Sequence, residues 1–313
     1  MKILICGSGS IGQRHIRNLI FLGIEDIILY RTKKNTLPSF GIDIPIYYDL
    51  QEALNKEPNI AFITNPTSLH IETSIQCARS KCHLFIEKPI SHNLDNIQNL
   101  ESLCKQNNLV CMVGFMMRYH PLIKKIREYI KSENLGKIIH FRSFWGEDVS
   151  TWHPWEDYRK SYSTNQKMGG GPELTLSHDI DLALWLIKSG VSIVTKSKIN
   201  NSSLDLNCNH GVDFNIVFDN KITANIHLDY YTNPPKRDYD IFFEQGRIHL
   251  DYYLNEMNIH SQNECEKITA EDFVRNNLFV EEIKVFLDAV SSKKPSPIDL
   301  GEGLKSLKLA LTQ

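Results

Sequence analysis

The chain has 313 residues, too many for one ordinary core and suited to two domains of ~100–200 residues each. Hydrophobic residues make up 42% and charged residues 23%, which excludes a disordered or fibrous chain. Thirty-five basic against 37 acidic residues, a formal charge of −2, advertise neither nucleic acid nor an anionic membrane, and no apolar run reaches the ~18 residues of a spanning helix.

The N-terminal Met-Lys-Ile-Leu-Ile-Cys-Gly-Ser-Gly-Ser reads as the start of a domain, not a secretory leader. From there short apolar strands alternate with helical stretches. Strands are predicted at 3–6, 26–30, 60–64, 83–86 and 110–114, and helices at 12–22, 49–55, 70–80 and 94–107. The alternation predicts a doubly wound parallel sheet, and strands rich in Ile and free of charge fit burial on both faces. After Gly114 the pattern changes. A helix over 121–132, a Trp-rich stretch (Trp145, Trp152, Trp155), three glycines at 169–171 and a helix over 175–188 come next. From Val191 to about Ser261 apolar and polar residues alternate, with Asp219-Asn220-Lys221 as a turn between 212–218 and 222–230. Strands in succession predict an α+β domain with a mostly antiparallel open sheet. Helices over 278–291 and 301–311 close the chain. The division is a dinucleotide-binding domain over 1–120 and a substrate and oligomerisation domain over 121–313.

Seven cysteines, scattered and without a C-x-x-C pair, argue against a disulfide framework or a zinc site. They suit a reducing cytoplasm as small buried residues, and no metal is expected at the site.

Gly7-Ser8-Gly9-Ser10-Ile11-Gly12 is a G-x-G-x-x-G that follows a strand and opens a helix. In that setting the first glycine makes the turn, the second admits a pyrophosphate and the third lets helix and strand pack. The helix N-terminus adds unpaired N–H groups. A dinucleotide fold usually places a carboxylate on the adenosine ribose ~20 residues later. Here the second strand runs into Arg31, Thr32, Lys33 and Lys34. A carboxylate would repel a 2′-phosphate, whereas Arg31 can grip one, so NADP is preferred over NAD.

The third strand leads into Thr64-Asn65-Pro66-Thr67-Ser68-Leu69-His70, the fourth into Glu87-Lys88-Pro89, and the fifth into Gly114-Phe115-Met116-Met117-Arg118-Tyr119-His120-Pro121. With the glycine loop, and with Gly169–Gly171 before His178-Asp179-Ile180-Asp181, this series resembles the glucose–fructose oxidoreductase, inositol dehydrogenase and MocA-like (Gfo/Idh/MocA) family over residues 1 to about 311. The resemblance implies that Gly7, Gly9, Ser10, Ile11 and Gly12 hold the pyrophosphate, and Arg31 and Thr32 the adenosine end. It sets Asn65, Pro66 and His70 along the nucleotide groove, Glu87 and Lys88 beside the nicotinamide, and His178 at the reacting carbon. It further implies an open sheet used for homodimer or homotetramer contacts.

The chemistry of these side chains agrees. Hydride transfer to or from a carbinol carbon needs a group that moves the hydroxyl proton, and a histidine suits it, with a lysine to polarise the oxygen. Many family members carry an Asp three or four residues before the histidine; here Leu174 and Thr175 stand there, and Glu173 lies five back. Ahead of the glycines, Trp152, Trp155, Arg159, Lys160 and Tyr162 offer flat apolar faces beside cations. Arg118, Trp155, Arg159, Tyr162, Thr175 and Asp181 are the expected substrate contacts, and similar segments in relatives associated with bacterial surface-sugar pathways hint at a sugar. The reading is an NAD(P)-dependent oxidoreductase acting on a sugar hydroxyl or ketone. Two alternatives stay open: a regulatory dinucleotide-binding protein with a decayed site, and a lyase or hydrolase that cycles a retained nicotinamide. The outer face of the second sheet is expected to carry Phe, Ile and Tyr and to form an apolar patch that drives oligomerisation.

Overall fold

The computed structural model describes every residue except 33–36, 153–155 and 263. In chain order the elements are β1 (Ile3–Cys6), α1 (Ser10–Phe21), β2 (Ile27–Tyr30), β3 (Ile46–Tyr47), α2 (Leu50–Leu54), β4 (Ile60–Ile63), α3 (His70–Arg79), β5 (His83–Glu87), α4 (Ile97–Gln106) and β6 (Cys111–Gly114). They continue with α5 (Pro121–Ser132), β7 (Ile138–Gly146), α6 (Pro172–Thr175), α7 (His178–Ile187), β8 (Val191–Ile199), β9 (Gly211–Phe218), β10 (Thr223–Asp229), β11 (Lys236–Phe243), β12 (Gly246–Asp251), β13 (Glu256–Ser261), β14 (Cys265–Thr269), α8 (Asn276–Ser292) and α9 (Leu300–Ala310). The chain divides into two units, Met1–Met116 with Asn276–Leu304, and Met117–Arg275 with Lys305–Gln313.

The first unit is built on a six-stranded parallel sheet in the order β3-β2-β1-β4-β5-β6. Its order reverses beside β1, the place where open α/β sheets bind ligands at the carboxyl ends of their strands. The first unit's leading segment ends at Met116, near the expected boundary at 120, but 276–304, expected in the second domain, groups with the first unit. The cause is aromatic. Phe62 and Phe85 stack at 4.8 Å, and Phe286 of α8 meets them edge-on at 5.8 and 5.5 Å. α8 buries Leu278, Phe279, Ile283, Phe286 and Ala289, a stripe at helical spacing. Beyond it, the Val113 amide donates to the Ile298 carbonyl, 2.9 Å, beside β6.

The second unit holds an eight-stranded sheet in the order β14-β13-β12-β11-β7-β10-β9-β8, in which only the β7–β10 pair is parallel. One face packs on α6 and α7: Val212, Phe214, Ile216, Ala224, Ile226 and Leu228 are buried. The other face is mixed: Phe144 and Phe242 are half-buried there, against His227 and His140, within a lattice of charged pairs in place of the continuous apolar patch expected. Asp213 bonds His227, which also reaches Asp229; Arg142 pairs with Asp238 and Asp240; and His249 bonds Asp240. Alternation puts most of the large apolar residues of these strands on the helix side, which leaves charged residues among the two outer phenylalanines.

All seven cysteines are free, and Cys6, Cys77, Cys82, Cys104 and Cys111 are buried, whereas Cys265 is exposed. Burial pushes the Cys82 thiol up to about 12. No helix among the described residues is long and apolar enough to cross a membrane.

Candidate active site

The three glycines of the first turn serve three different ends. Gly7 has φ +117°, and a Cβ there would lie 2.7 Å from the Asn65 nitrogen. A Cβ on Gly12 would fall 2.1 Å from the Gly7 carbonyl oxygen and 2.9 Å from Thr64 Oγ1, so β1, β4 and α1 approach closely only without side chains there. Gly9 differs: a Cβ would meet nothing within 4 Å. It is the N-cap of α1, no side chain caps the helix, and no carboxylate stands in the first turn. Gly9 and Ser10 are exposed and Ile11 half-buried. Open N–H groups at a positive helix end, with unfilled space beside the backbone, are what a pyrophosphate requires. The loop is pinned from behind, where Thr64 Oγ1 donates to the carbonyls of Cys6 and Gly7 at 3.1 and 3.0 Å.

At the end of β2, Arg31 is only 4% exposed and its Nε and Nη2 have no hydrogen-bond partner. The guanidinium is therefore not part of a solvated basic loop. Thr32 beside it is exposed, and Lys33 and Lys34 lie outside the described residues. A buried cation with open donors fits an anionic ligand such as a 2′-phosphate.

Asn65 and Pro66 are half-buried after β4, and Asn65 Nδ2 donates to Thr73 Oγ1, 2.8 Å. His70 is a brace more than a lining residue. Its Nε2 lies 2.9 Å from the Asn65 carbonyl and its Nδ1 2.9 Å from the Pro89 carbonyl, and the ring is buried. Burial, opposed by those two carbonyls, lowers its affinity for a proton. His70 thus ties the segment after β4 to the Lys88–Pro89 turn, whose peptide bond is cis. Lys88 is half-buried at the carboxyl end of β5. Glu87 departs from its expected place beside the nicotinamide: its carboxylate is turned into the interior, with Oε1 2.6 Å from His15 Nε2 of α1.

In the second unit the predicted helix over 175–188 is broken. α6 ends at Thr175, and α7 starts at His178 after Leu176 and Ser177. Spacing along one continuous helix therefore does not relate Thr175 to His178. Both are buried. Glu173 is committed elsewhere, its Oε1 accepting from Lys196 Nζ at 3.0 Å and Asn209 Nδ2 at 2.8 Å. The His178 ring stacks on Trp145, centroids 6.2 Å apart, and the Arg237 guanidinium lies 3.7 Å from the Trp145 ring centre. Arg237 Nη2 and the Tyr239 hydroxyl donate to Asp179 Oδ1 at 2.6 and 2.8 Å. Sequence reasoning missed this support. Its signal was the alternation of 138–146, with Phe141, Ser143 and Trp145 buried between more exposed neighbours.

Of the expected substrate residues, Arg118 and Asp181 are joined to each other. Arg118 Nε and Nη2 donate to the two Asp181 oxygens at 2.9 and 2.6 Å, and both side chains are buried. Arg159 is exposed and bonded through Nε and Nη2 to Asp157, and Tyr162 is 42% exposed. Trp155 lies outside the described residues. Trp152 is half-buried edge-on against Tyr230, 5.4 Å between centroids, and Trp145, which precedes the segment expected to meet substrate, is buried.

The same chain order and geometry occur in known proteins. Residues 1–115 match the model of an oxidoreductase family with an NAD-binding Rossmann fold (GFO/IDH/MocA), and residues 123–249 match the GFO/IDH/MocA C-terminal domain. The myo-inositol 2-dehydrogenase of Thermotoga maritima is 28% identical over 204 residues, 62% of this chain and 57% of that protein. The scyllo-inositol 2-dehydrogenase (NAD(+)) of Bacillus subtilis is 25% identical over 203 residues, 62% of this chain and 56% of that protein. The chain thus spans little more than half the length of these relatives. In fold, levoglucosan dehydrogenase in complex with NADH and levoglucosan superposes with a TM-score of 0.86 at 16% identity, covering 99% of this chain and 95% of that one. The UDP-N-acetylglucosamine 3-dehydrogenase of Acidithiobacillus ferrooxidans does so at 0.80 and 18% identity, over 99% and 95% of the two chains. With both of its halves matched in order by the family models, the chain belongs to the GFO/IDH/MocA oxidoreductase family.

Proposed function

We propose that this chain is an NADP-preferring oxidoreductase that moves a hydride between nicotinamide and a hydroxyl or ketone of a sugar or sugar derivative. The observation that carries the reading is the open N-terminus of α1, with empty space beside Gly9 and no acidic residue in the first turn. The first unit takes the cofactor. Gly7, Gly9, Ser10, Ile11 and Gly12 bind its pyrophosphate, and Arg31 and Thr32 its 2′-phosphate and adenosine. Asn65 and Pro66 border the nucleotide, and His70 holds the Lys88 turn in place. When bound, the nicotinamide supplies the hydride acceptor or donor.

The chain's own side chains handle the proton. His178 serves as the general base for the hydroxyl proton, and Lys88 as the cation of the proton chemistry. The second unit supplies the substrate contacts, with Arg159, Tyr162 and Thr175 the ones not already committed to a buried ion pair. Trp145, Arg237 and Asp179 keep His178 in place. The protein works in the cytoplasm as a homo-oligomer. The outer face of the second sheet, with its ion pairs around Phe144 and Phe242, suits a contact that combines polar pairs with some apolar burial.

The test is turnover of the purified chain with NADP and with NAD on myo-inositol, scyllo-inositol, levoglucosan and UDP-N-acetylglucosamine, followed by nicotinamide absorbance. Reduction of NADP with at least one of these is the expected result. Tight NADPH binding without turnover on any of them, in either direction, would favour the decayed regulatory reading instead. Light scattering on the same sample should report at least a dimer.

A further inference from the structure

A permanent cation is buried close to His178. Arg237 of β11, Trp145 of β7, and Asp179 and His178 of α7 all belong to the second unit's segment 117–275, and all four are buried. Arg237 Nη2 donates to Asp179 Oδ1 at 2.6 Å and its Nε to the Tyr239 hydroxyl at 2.8 Å. That hydroxyl donates in turn to the same Asp179 oxygen at 2.8 Å. The guanidinium lies on Trp145, 3.7 Å from the ring centre, and the His178 ring stacks on that tryptophan at 6.2 Å. Those two distances place the charge within about 10 Å of the imidazole.

Arg237 cannot shed its proton, so another group has to cancel its charge. Burial pushes the Asp179 carboxyl up, and the Arg237 guanidinium and the Tyr239 hydroxyl pull it down. Ionised, Asp179 closes a pair of no net charge. Protonated, it would leave a bare buried guanidinium, which is the costlier state. Three further titratable groups border this assembly. Asp181, three residues on along α7, is bridged to Arg118. Glu147 accepts from Trp145 Nε1 and from the Tyr253 hydroxyl, both at 2.7 Å. His120 is neutral, since burial and then the Arg237 charge bring it down to about 3.

We propose that Asp179 is a positioning residue for His178 through charge: its carboxylate cancels Arg237, so that the imidazole stacked on Trp145 keeps its affinity for a proton. A bare charge ~10 Å away, at an effective dielectric constant of ~20, changes the midpoint of a histidine by about one unit. That is a tenfold change in the fraction of base able to act at a fixed pH. Trp145 thereby rests on a rigid cation without exposing its neighbour to that cation's field. An amide at position 179 could supply the same oxygen to Arg237 and Tyr239; it could not supply the charge. The inference rests on the proposed function only in giving His178 the role of base.

The test uses the full chain, labelled with ¹⁵N-histidine, as Asp179→Asn, Arg237→Gln and the double variant of both. The His178 ring is titrated by NMR, its signal assigned by its loss in His178→Asn, and thermal unfolding shows which variants fold. Asp179→Asn keeps the oxygen acceptor and removes the charge, and should lower the His178 midpoint by about half a unit or more. Arg237→Gln removes the cation, and should leave the midpoint level or raise it. The double variant, which buries no charge at either position, should return to within about 0.3 unit of the parent. Loss of mere mechanical support would move both single variants in the same direction; a fall in one without a fall in the other is the mark of charge. An unmoved midpoint in folded Asp179→Asn would mean that Asp179 carries a proton, and would overturn the proposal. A fall in Arg237→Gln, or a double variant half a unit or more below the parent, would do so as well. If Asp179→Asn does not fold, those two arms decide. The titrations need no substrate, so a protein that turns over nothing would defeat the proposed function and leave this charge balance to stand or fall separately.

Discussion

Arg118 and Asp181 neutralise each other: the guanidinium meets both carboxylate oxygens, at 2.9 and 2.6 Å, with both side chains buried. Two residues that the sequence offers as sugar contacts are thus bound together within the second unit. Arg118 also lies 5.5 Å from the Trp185 ring centre, with Arg127 at 4.0 Å from the same ring. Asp181→Asn should leave an uncompensated buried cation and cost about 3–5 kcal/mol, the usual penalty for breaking such a pair from one side. Urea unfolding checks this, and a loss below 1 kcal/mol, on the order of a surface pair, would show the bridge to be idle.

Gly12 and Gly9 should separate folding from binding. Gly12→Ala places a methyl 2.1 Å from a backbone carbonyl and should lower the melting temperature sharply. Gly9→Ala meets no protein atom within 4 Å and should melt like the parent, while weakening NADPH binding at least tenfold, about 1.4 kcal/mol. Calorimetry and fluorescence titration on the same preparations give both readings.

Arg31 carries the expected cofactor preference. NADP should bind more tightly than NAD by about 1.5–3 kcal/mol, the worth of a hydrogen bond to a charged group. Arg31→Ala should remove most of that margin and leave NAD affinity almost unchanged. Equal dissociation constants for the two cofactors in the parent would dispose of the preference.

Lys88→Met and His178→Asn should each lower kcat by about 10²–10⁴ with far smaller effects on cofactor affinity. Thr175→Asp is the informative partner. A carboxylate restored beside a neutral sugar should raise turnover, and one placed against an anionic substrate should lower it. Parent-like turnover in Lys88→Met would remove lysine from the mechanism.

His227 on the outer sheet face gives a pH dependence. Burial works against its charge, but hydrogen bonds to Asp229 and Asp213 outweigh it and raise its affinity for a proton above the ordinary value. Its contribution to stability is therefore complete below the unfolded histidine's value of about 6.5 and disappears as pH rises through the folded value. His227→Gln should narrow the gap in melting temperature between pH 5.5 and pH 9. An unchanged gap would mean that the ring is not charged in the folded protein.

The first sheet was legible because its strands are apolar runs, apart from His83 and Glu87 at the two ends of β5, and its helices carry a 3.6-residue period; only the two-residue β3 escaped. β7 escaped too, although it lies inside the second sheet, because His140, Arg142 and Phe144 on its outer side dilute the alternation. The glycine loop was readable to the residue, since each glycine answers a local steric demand. Pairings were not. Nothing in the spacing of Arg118 and Asp181, or of Asp179 and Arg237, says that they meet, because burial selects partners across the fold and not along the chain. The break between α6 and α7 was hidden for a related reason: Leu176 and Ser177 are acceptable in a helix, and tertiary packing interrupts it there.

The return of α8 to the first sheet bears on how the protein comes into being. A fragment ending near residue 120 would hold every strand of the parallel sheet and the whole glycine loop, yet Phe62 and Phe85 would lack Phe286, and β6 would lack the strap at Ile298. On the ribosome the same shortage lasts until about 170 further residues of chain have emerged, at ~5–20 residues per second some ten to thirty seconds. The second unit's segment 117–275 is made within that interval. Neither unit is therefore complete until the end of synthesis: the first waits for 276–304 and the second for 305–313, so the parallel sheet, translated first, stays unfinished the longest.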